Sequence, residues 1–154
     1  MLEKMEYQQQ GFILKYNNKR FKIRNIFYED VKKLRGDTNL IELRYIQLRR
    51  NKRIKVFLNY FPEFNATFRN LENNIYKITN EIYNLYQQKF IKKEQIIIPE
   101  IYKDIIYKLH GIFINFKQNR TQLRIFKKDV IELINSYDEY KLYNILKIKI
   151  LDTE

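Results

Sequence analysis

Three cations alternate with apolar residues near the N-terminus, at a spacing that suits phosphate binding. Arg20, Lys22 and Arg24 lie two residues apart, so in an extended strand their side chains project from one face. The apolar residues between them then occupy the other face. Guanidinium and ammonium groups bind phosphate oxygens, so the cationic face is a candidate phosphate site. Lys15, in the preceding segment, is a weaker candidate for the same role.

The same alternation also has a purely structural interpretation. Lys and Arg on an edge strand keep it from pairing with other chains, so these cations can serve only to prevent aggregation. The residues by themselves favour this structural interpretation over phosphate binding.

A second group of cations follows and is a candidate contact for the RNA backbone, with an affinity that falls steeply with salt. Its members are Lys32, Lys33, Arg35, Arg44, Arg49, Arg50, Lys52 and Arg53. For the part from Arg44 to Lys55, a solvated helix end explains the pattern equally well.

The positive charge is concentrated in the first third of the chain. The net charge is +12, and residues 11–61 hold 14 Lys/Arg against 4 Asp/Glu. Residues 62–154 hold 15 against 12, which leaves them close to neutral. A localised basic surface beside a nearly neutral body indicates a polyanion binder.

Several function classes are excluded by composition. There is no Cys, so thiol-based zinc sites, disulfides and Cys nucleophiles are absent. His110 is the only histidine, and its apolar neighbours predict a packed helix residue. No apolar run approaches the ~20 residues that span a bilayer, so we expect no membrane association and an intracellular, cytoplasmic location.

The elements that position the cations are predicted from periodicity. Two extended runs, Phe12–Tyr16 and Arg20–Arg24, flank Asn17-Asn18, a pair that tolerates positive φ and predicts a hairpin turn. The rest of the chain reads as helix. The predicted fold is mainly α, a helical bundle of about five helices with a small N-terminal β-hairpin.

The helix boundaries follow from stop and cap signals. Gly36 ends a first helix, Asp37 or Thr38 caps the next, and Asn51 marks a break. Pro62 opens the longest helix, which runs to about Lys93 with an apolar stripe typical of a bundle. Further helices follow from Pro99, over 127–135, and after a Ser136–Glu139 capping box.

The hairpin segment resembles motifs IV and V of the covalent nucleotidyltransferases, in particular RNA ligases of the phage type. Those motifs carry an acidic residue, Gly and an apolar run, a turn, then a Phe-Lys-Ile-Lys-like strand and a further aromatic residue. The corresponding residues are Gln10-Gly11-Phe12-Ile13, then Phe21-Lys22-Ile23-Arg24, then Phe27-Tyr28. The continuation, including Lys32–Gly36 and Tyr60–Glu63, resembles ligase-related proteins of large DNA viruses. The resemblance as a whole covers roughly Tyr7 to Leu146.

By this resemblance, Lys22 and Arg24 correspond to cations that hold the nucleotide α-phosphate during transfer. The family's lysine nucleophile lies in a Lys-x-Asp-Gly motif, and no Gly of this chain follows an Asp. Gln10 stands where the family has an acidic metal-binding residue. The resemblance therefore implies no catalytic residue and no metal site here. ATP and Mg²⁺ enter only if a catalytic partner supplies the missing motif.

The leading hypothesis is that this chain is the C-terminal portion of an RNA-ligase-like nucleotidyltransferase. It would bind RNA or another nucleic acid and be inactive alone. Residues 1–27 would be a hairpin remnant of the core, and 28–154 a basic segment with a C-terminal helical domain. The alternative is a structural or assembly protein, for example of a virion, that acts through protein contacts. An unpaired hairpin predicts a protein partner on its edge in either case. The viral interpretations add a virion or viral factory to the expected locations.

Overall fold

The computed structural model describes residues 6–151, and this part of the chain forms an antiparallel hairpin followed by seven α-helices. The elements are β1 (Gly11–Tyr16), β2 (Lys19–Arg24), α1 (Ile26–Arg35), α2 (Ile41–Arg50), α3 (Ile54–Tyr60), α4 (Asn65–Tyr86), α5 (Glu100–Gln118), α6 (Lys127–Ser136) and α7 (Glu139–Leu151). The mainly helical class with an N-terminal hairpin is confirmed. The outer ends of the two predicted units, residues 1–5 and 152–154, lie outside the described residues.

The predicted count of about five helices is too low because several helices are short. Residues 37–61 hold two of them, since the chain turns at Asn51 and Lys52. Lys52 has a φ of 56°, which ends α2, and the Arg53 amide then donates to the carbonyl oxygen of Leu48 at 2.8 Å. The predicted break at Asn51 is confirmed.

The hairpin turn forms at the predicted asparagine pair. Asn17 and Asn18 have φ angles of 46° and 59°, as a two-residue type I′ turn requires. Tyr16 therefore pairs with Lys19, and the register continues to Gly11 opposite Arg24. Gly11 has a φ of 131°, and a Cβ there would collide with the carbonyl oxygen of Ile23. This close approach explains the glycine at the start of β1.

Asn25 joins the hairpin to the first helix. Its side-chain oxygen accepts a hydrogen bond from the Phe27 amide at 3.1 Å and so caps α1. Its side-chain nitrogen donates to the carbonyl oxygens of Glu6 at 2.8 Å and Gln9 at 2.9 Å. Asn25 is buried, and all three bonds hold the incoming chain against the start of α1.

Helix α4 is the centre of the helical body and contacts α2, α5, α6 and α7. The predicted apolar stripe runs from Phe64 to Leu85. Its members from Phe68 to Ile82 are buried, and the two at its ends are half-buried. The long predicted helix over 62–93 is a 3₁₀ turn (Pro62–Phe64), α4 and a π-helical turn (Gln87–Ile91) in succession. Phe57 and Phe68 stack at 5.1 Å between ring centroids and extend the core to α3.

Some local predictions are wrong. Thr38 accepts a hydrogen bond from the Leu40 amide in the loop, whereas α2 begins at Ile41 without a side-chain cap. Ser136 ends α6 and bonds back to Leu133, and Asp138 caps α7 through the Lys141 amide at 3.0 Å. The apolar run Ile96–Ile98 before Pro99 predicts a buried connector; Ile98 is buried and Ile96 half-buried, but Ile97 is 94% exposed.

Candidate nucleic-acid interface

Four cations share one face of the hairpin, which we call the cationic face. Arg20, Lys22 and Arg24 alternate along β2, and Lys15 lies directly opposite Arg20 in the register. Residues paired across two antiparallel strands project to the same side of the sheet. Lys15 therefore belongs with the three β2 cations, although the sequence ranked it below them.

The cationic face is open to solvent and carries no compensating charge. All four side chains are exposed, and no salt bridge within residues 6–151 involves them. Between Glu6 and Glu29 the chain contains five Lys/Arg and no Asp or Glu. This face presents uncompensated positive charge to an approaching polyanion.

The Arg44 side chain has a structural role, because it is hydrogen-bonded to the end of α1. Its guanidinium donates to the carbonyl oxygens of Lys33 at 2.8 Å and Leu34 at 3.1 Å, and to the Gln47 side chain at 3.0 Å. These bonds satisfy carbonyls at the end of α1, which have no partner inside the helix. The predicted use of Arg44 on RNA would require these bonds to break.

Arg49 and Arg50 connect α2 to other helices. The Arg49 guanidinium lies 3.4 Å from the Glu72 carboxylate on α4 and donates to Asn135 on α6. Arg50 lies 3.2 Å from Glu139 and donates to the carbonyl oxygen of Tyr137. In the described part of the chain, both arginines therefore bind acceptors within the protein itself.

The rest of the second basic group is more accessible. Lys32, Lys33, Lys52 and Arg53 are exposed and take part in no salt bridge among residues 6–151. Arg35 is half-buried and lies over the Phe64 ring, 5.1 Å from its centroid.

Electrostatics show that part of this group is clustered. Burial lowers the pKa of the Arg44 guanidinium, and the positive charges of Arg53 and Arg35 lower it further. The end of α1, the middle of α2 and the start of α3 thus bring three arginines into one field. Successive members of the three are nine positions apart and lie on α1, on α2 and at the start of α3, so spacing within one element does not reveal the cluster.

The hairpin tip holds residues that the sequence interpretation left out. A cavity of about 320 Å³, open to solvent, is lined by Lys15, Tyr16, Asn17, Asn18, Lys19 and Arg20. Tyr16 is 71% exposed. The signal was present in the sequence, because a two-residue turn necessarily places Tyr16 opposite Lys19.

Two other side chains that could take part in chemistry, His110 and Tyr45, are packed against their neighbours instead. His110 stacks on Phe90, with the ring centroids 3.9 Å apart and 10° between the planes, as predicted for a packed histidine. Burial, and then the hydrogen bond to Glu72, raise the pKa of the Tyr45 hydroxyl. Among residues 6–151 no group of three or more His, Asp or Glu side chains is placed to hold a metal ion.

No protein family model, curated protein or solved structure matches this chain. The resemblance to RNA ligases therefore stays a prediction. No helix among the described residues is long and apolar enough to cross a membrane.

Proposed function

We propose that this protein binds RNA through the cationic face of the hairpin, as the C-terminal portion of an RNA-ligase-like nucleotidyltransferase, and does not catalyse alone. The observation that carries this proposal is the set of four exposed cations on one face, which take part in no salt bridge among residues 6–151: Lys15, Arg20, Lys22 and Arg24. Phosphate oxygens supply the negative charge that this face lacks.

The motif resemblance adds a specific role for two of these cations. Lys22 and Arg24 would contact phosphate as the corresponding family residues do. Gln10 supports a binding role over a metal role, because its side chain is an amide that donates to the Tyr28 hydroxyl at 2.9 Å. Catalysis would require a partner that carries the lysine motif and brings ATP and Mg²⁺.

The test measures RNA binding by fluorescence anisotropy across a salt series. We expect Lys22→Gln/Arg24→Gln to weaken binding to single-stranded RNA and to reduce the slope of log affinity against log salt by about 1.4, since each phosphate contact contributes about 0.7. The matched control is Lys52→Gln/Arg53→Gln, which removes the same charge from the helical body.

Two outcomes contradict this assignment. If the folded wild-type protein binds no RNA at low salt, the nucleic-acid role is wrong. If the slope falls only in the Lys52/Arg53 variant, the second basic group carries the binding and the hairpin does not.

A structural or assembly role is the second candidate, and one observation favours it. The sheet formed by the described residues has two strands, so each strand has an unpaired edge. Leu14 and Phe21, on the face opposite the cations, are each 52% exposed. A protein partner that adds a strand would cover both features. Association that persists at high salt and is lost in Leu14→Lys/Phe21→Lys would support this role.

A further inference from the structure

The two faces of the hairpin meet at its tip. Along the strands, Lys15, Arg20, Lys22 and Arg24 share one face with Ile13, and Leu14, Phe21 and Ile23 lie on the other, separated by the thickness of the sheet. At the turn this separation ends, and the tip cavity is lined by Lys15 and Arg20 from the cationic face and by Tyr16 and Lys19 from the opposite face. A ring and three cations therefore surround one space.

Tyr16 is available to a ligand. Its side chain is 71% exposed, and the ring pairs found among residues 6–151 do not include it. Asn17 and Asn18 also line this cavity. The volume of about 320 Å³ is at the lower end of the range for small-ligand pockets, which suits one nucleotide.

We propose that the hairpin tip binds one unpaired nucleotide, with its base stacked on Tyr16 and the adjoining phosphates held by Lys15, Lys19 and Arg20. This inference rests on the proposed RNA binding and specifies its substrate class as single-stranded nucleic acid. In a duplex the bases are stacked on their neighbours and their faces are not accessible to the ring.

Charge favours a nucleotide over a second copy of the chain as the ligand of the tip cavity. Each hairpin carries five cations between residues 7 and 28 and no carboxylate. Two hairpin tips in contact would place like charges together, which opposes association. A nucleotide supplies both the flat ring that Tyr16 accepts and the anion that the cations require.

The experiment compares a fluorescein-labelled oligouridylate with a blunt RNA duplex in anisotropy titrations. Tyr16→Leu should weaken single-strand binding by between about 5-fold and about 150-fold, the range for loss of one stacked base, and change duplex binding less than 2-fold. Tyr16→Phe keeps the ring and is the matched control, with binding close to wild type. Lys19→Gln should lower the single-strand salt slope by about 0.7.

The failure of this inference differs from the failure of the proposed function. If wild-type protein binds neither probe at low salt, both are overturned. If it binds and Tyr16→Leu leaves single-strand affinity unchanged, or weakens both probes equally, the nucleotide site is overturned while RNA binding stands. Circular dichroism of each variant confirms that the exposed substitution has not unfolded the chain.

Discussion

Asn25 shows how one side chain can determine the geometry of the whole N-terminal region. It uses its acceptor on the Phe27 amide and both donor positions on the carbonyls of Glu6 and Gln9. Its own backbone amide donates to the carbonyl oxygen of Gln10 at 3.0 Å. A buried amide whose bonds are all made is stabilising, and the same site becomes costly when one partner is removed.

We predict that Asn25→Ala destabilises the protein by about 2 kcal/mol, because a helix cap and two further hydrogen bonds are lost. Urea unfolding measures the change. Asn25→Asp is the matched control, since its carboxylate still caps α1 but cannot donate to Glu6 and Gln9. Hydrogen exchange at the Phe27 amide should stay slow in the Asp variant and accelerate in the Ala variant. Equal exchange in the two would show that the cap is unimportant.

The hairpin is the element with the least burial in the fold. Of its strand residues, Gly11, Phe12 and Ile23 are half-buried, and the others are exposed. Its conformation therefore depends mainly on its own cross-strand bonds and turn. A two-stranded ribbon with little packing is only marginally stable alone, so local changes in the turn should alter the hairpin and leave the helices unaffected.

We predict that Asn18→Gly slows hydrogen exchange of the cross-strand amides by about threefold, because Asn-Gly is the preferred type I′ sequence and glycine adopts positive φ without strain. Asn18→Val should accelerate the same amides, since a β-branched residue is strained at a φ of 59°. Amides of α4 serve as the internal reference. A turn substitution that changed α4 as much as the hairpin would contradict local control.

At the scale of the molecule, arginine side chains connect helices that are distant in sequence. Arg49 links α2 to α4 and α6, and Arg50 links the end of α2 to the segment that opens α7. Both were predicted to bind RNA, and the tertiary structure instead places protein acceptors beside them. The exposed cations of the hairpin have no such acceptors among the described residues, so the two basic regions differ in how many of their cations are available to a ligand.

We predict that Arg49→Ala/Arg50→Ala lowers the free energy of unfolding by about 1–2 kcal/mol, because charged hydrogen bonds that are partly screened by solvent are lost. Lys52→Ala/Arg53→Ala, two exposed cations from the adjacent turn, should change it by less than about 0.5 kcal/mol. Urea unfolding compares the two. Equal stability of both variants would mean that Arg49 and Arg50 do not hold the helices together.

Local sequence patterns predicted the strands, the turn and the helices. Alternation predicted the strands, positive-φ tolerance predicted the Asn17-Asn18 turn, and 3.6-residue periodicity predicted the buried stripe of α4. Cap positions were predicted less well. Ser136 fits the capping-box pattern, but it is the last residue of α6, and Asp138 caps α7 instead. A cap depends on where the preceding helix ends, which packing decides.

The sequence by itself determined that this protein is mainly helical, has a hairpin N-terminal to its helices and concentrates positive charge in its first third. Only the tertiary structure decided which cations have acceptors among residues 6–151. Arg44, Arg49 and Arg50 look the same in sequence as Lys52 and Arg53, yet their partners come from other helices. A free cation differs from a bound one by contacts across long sequence separations, and these contacts exist only once the chain has folded.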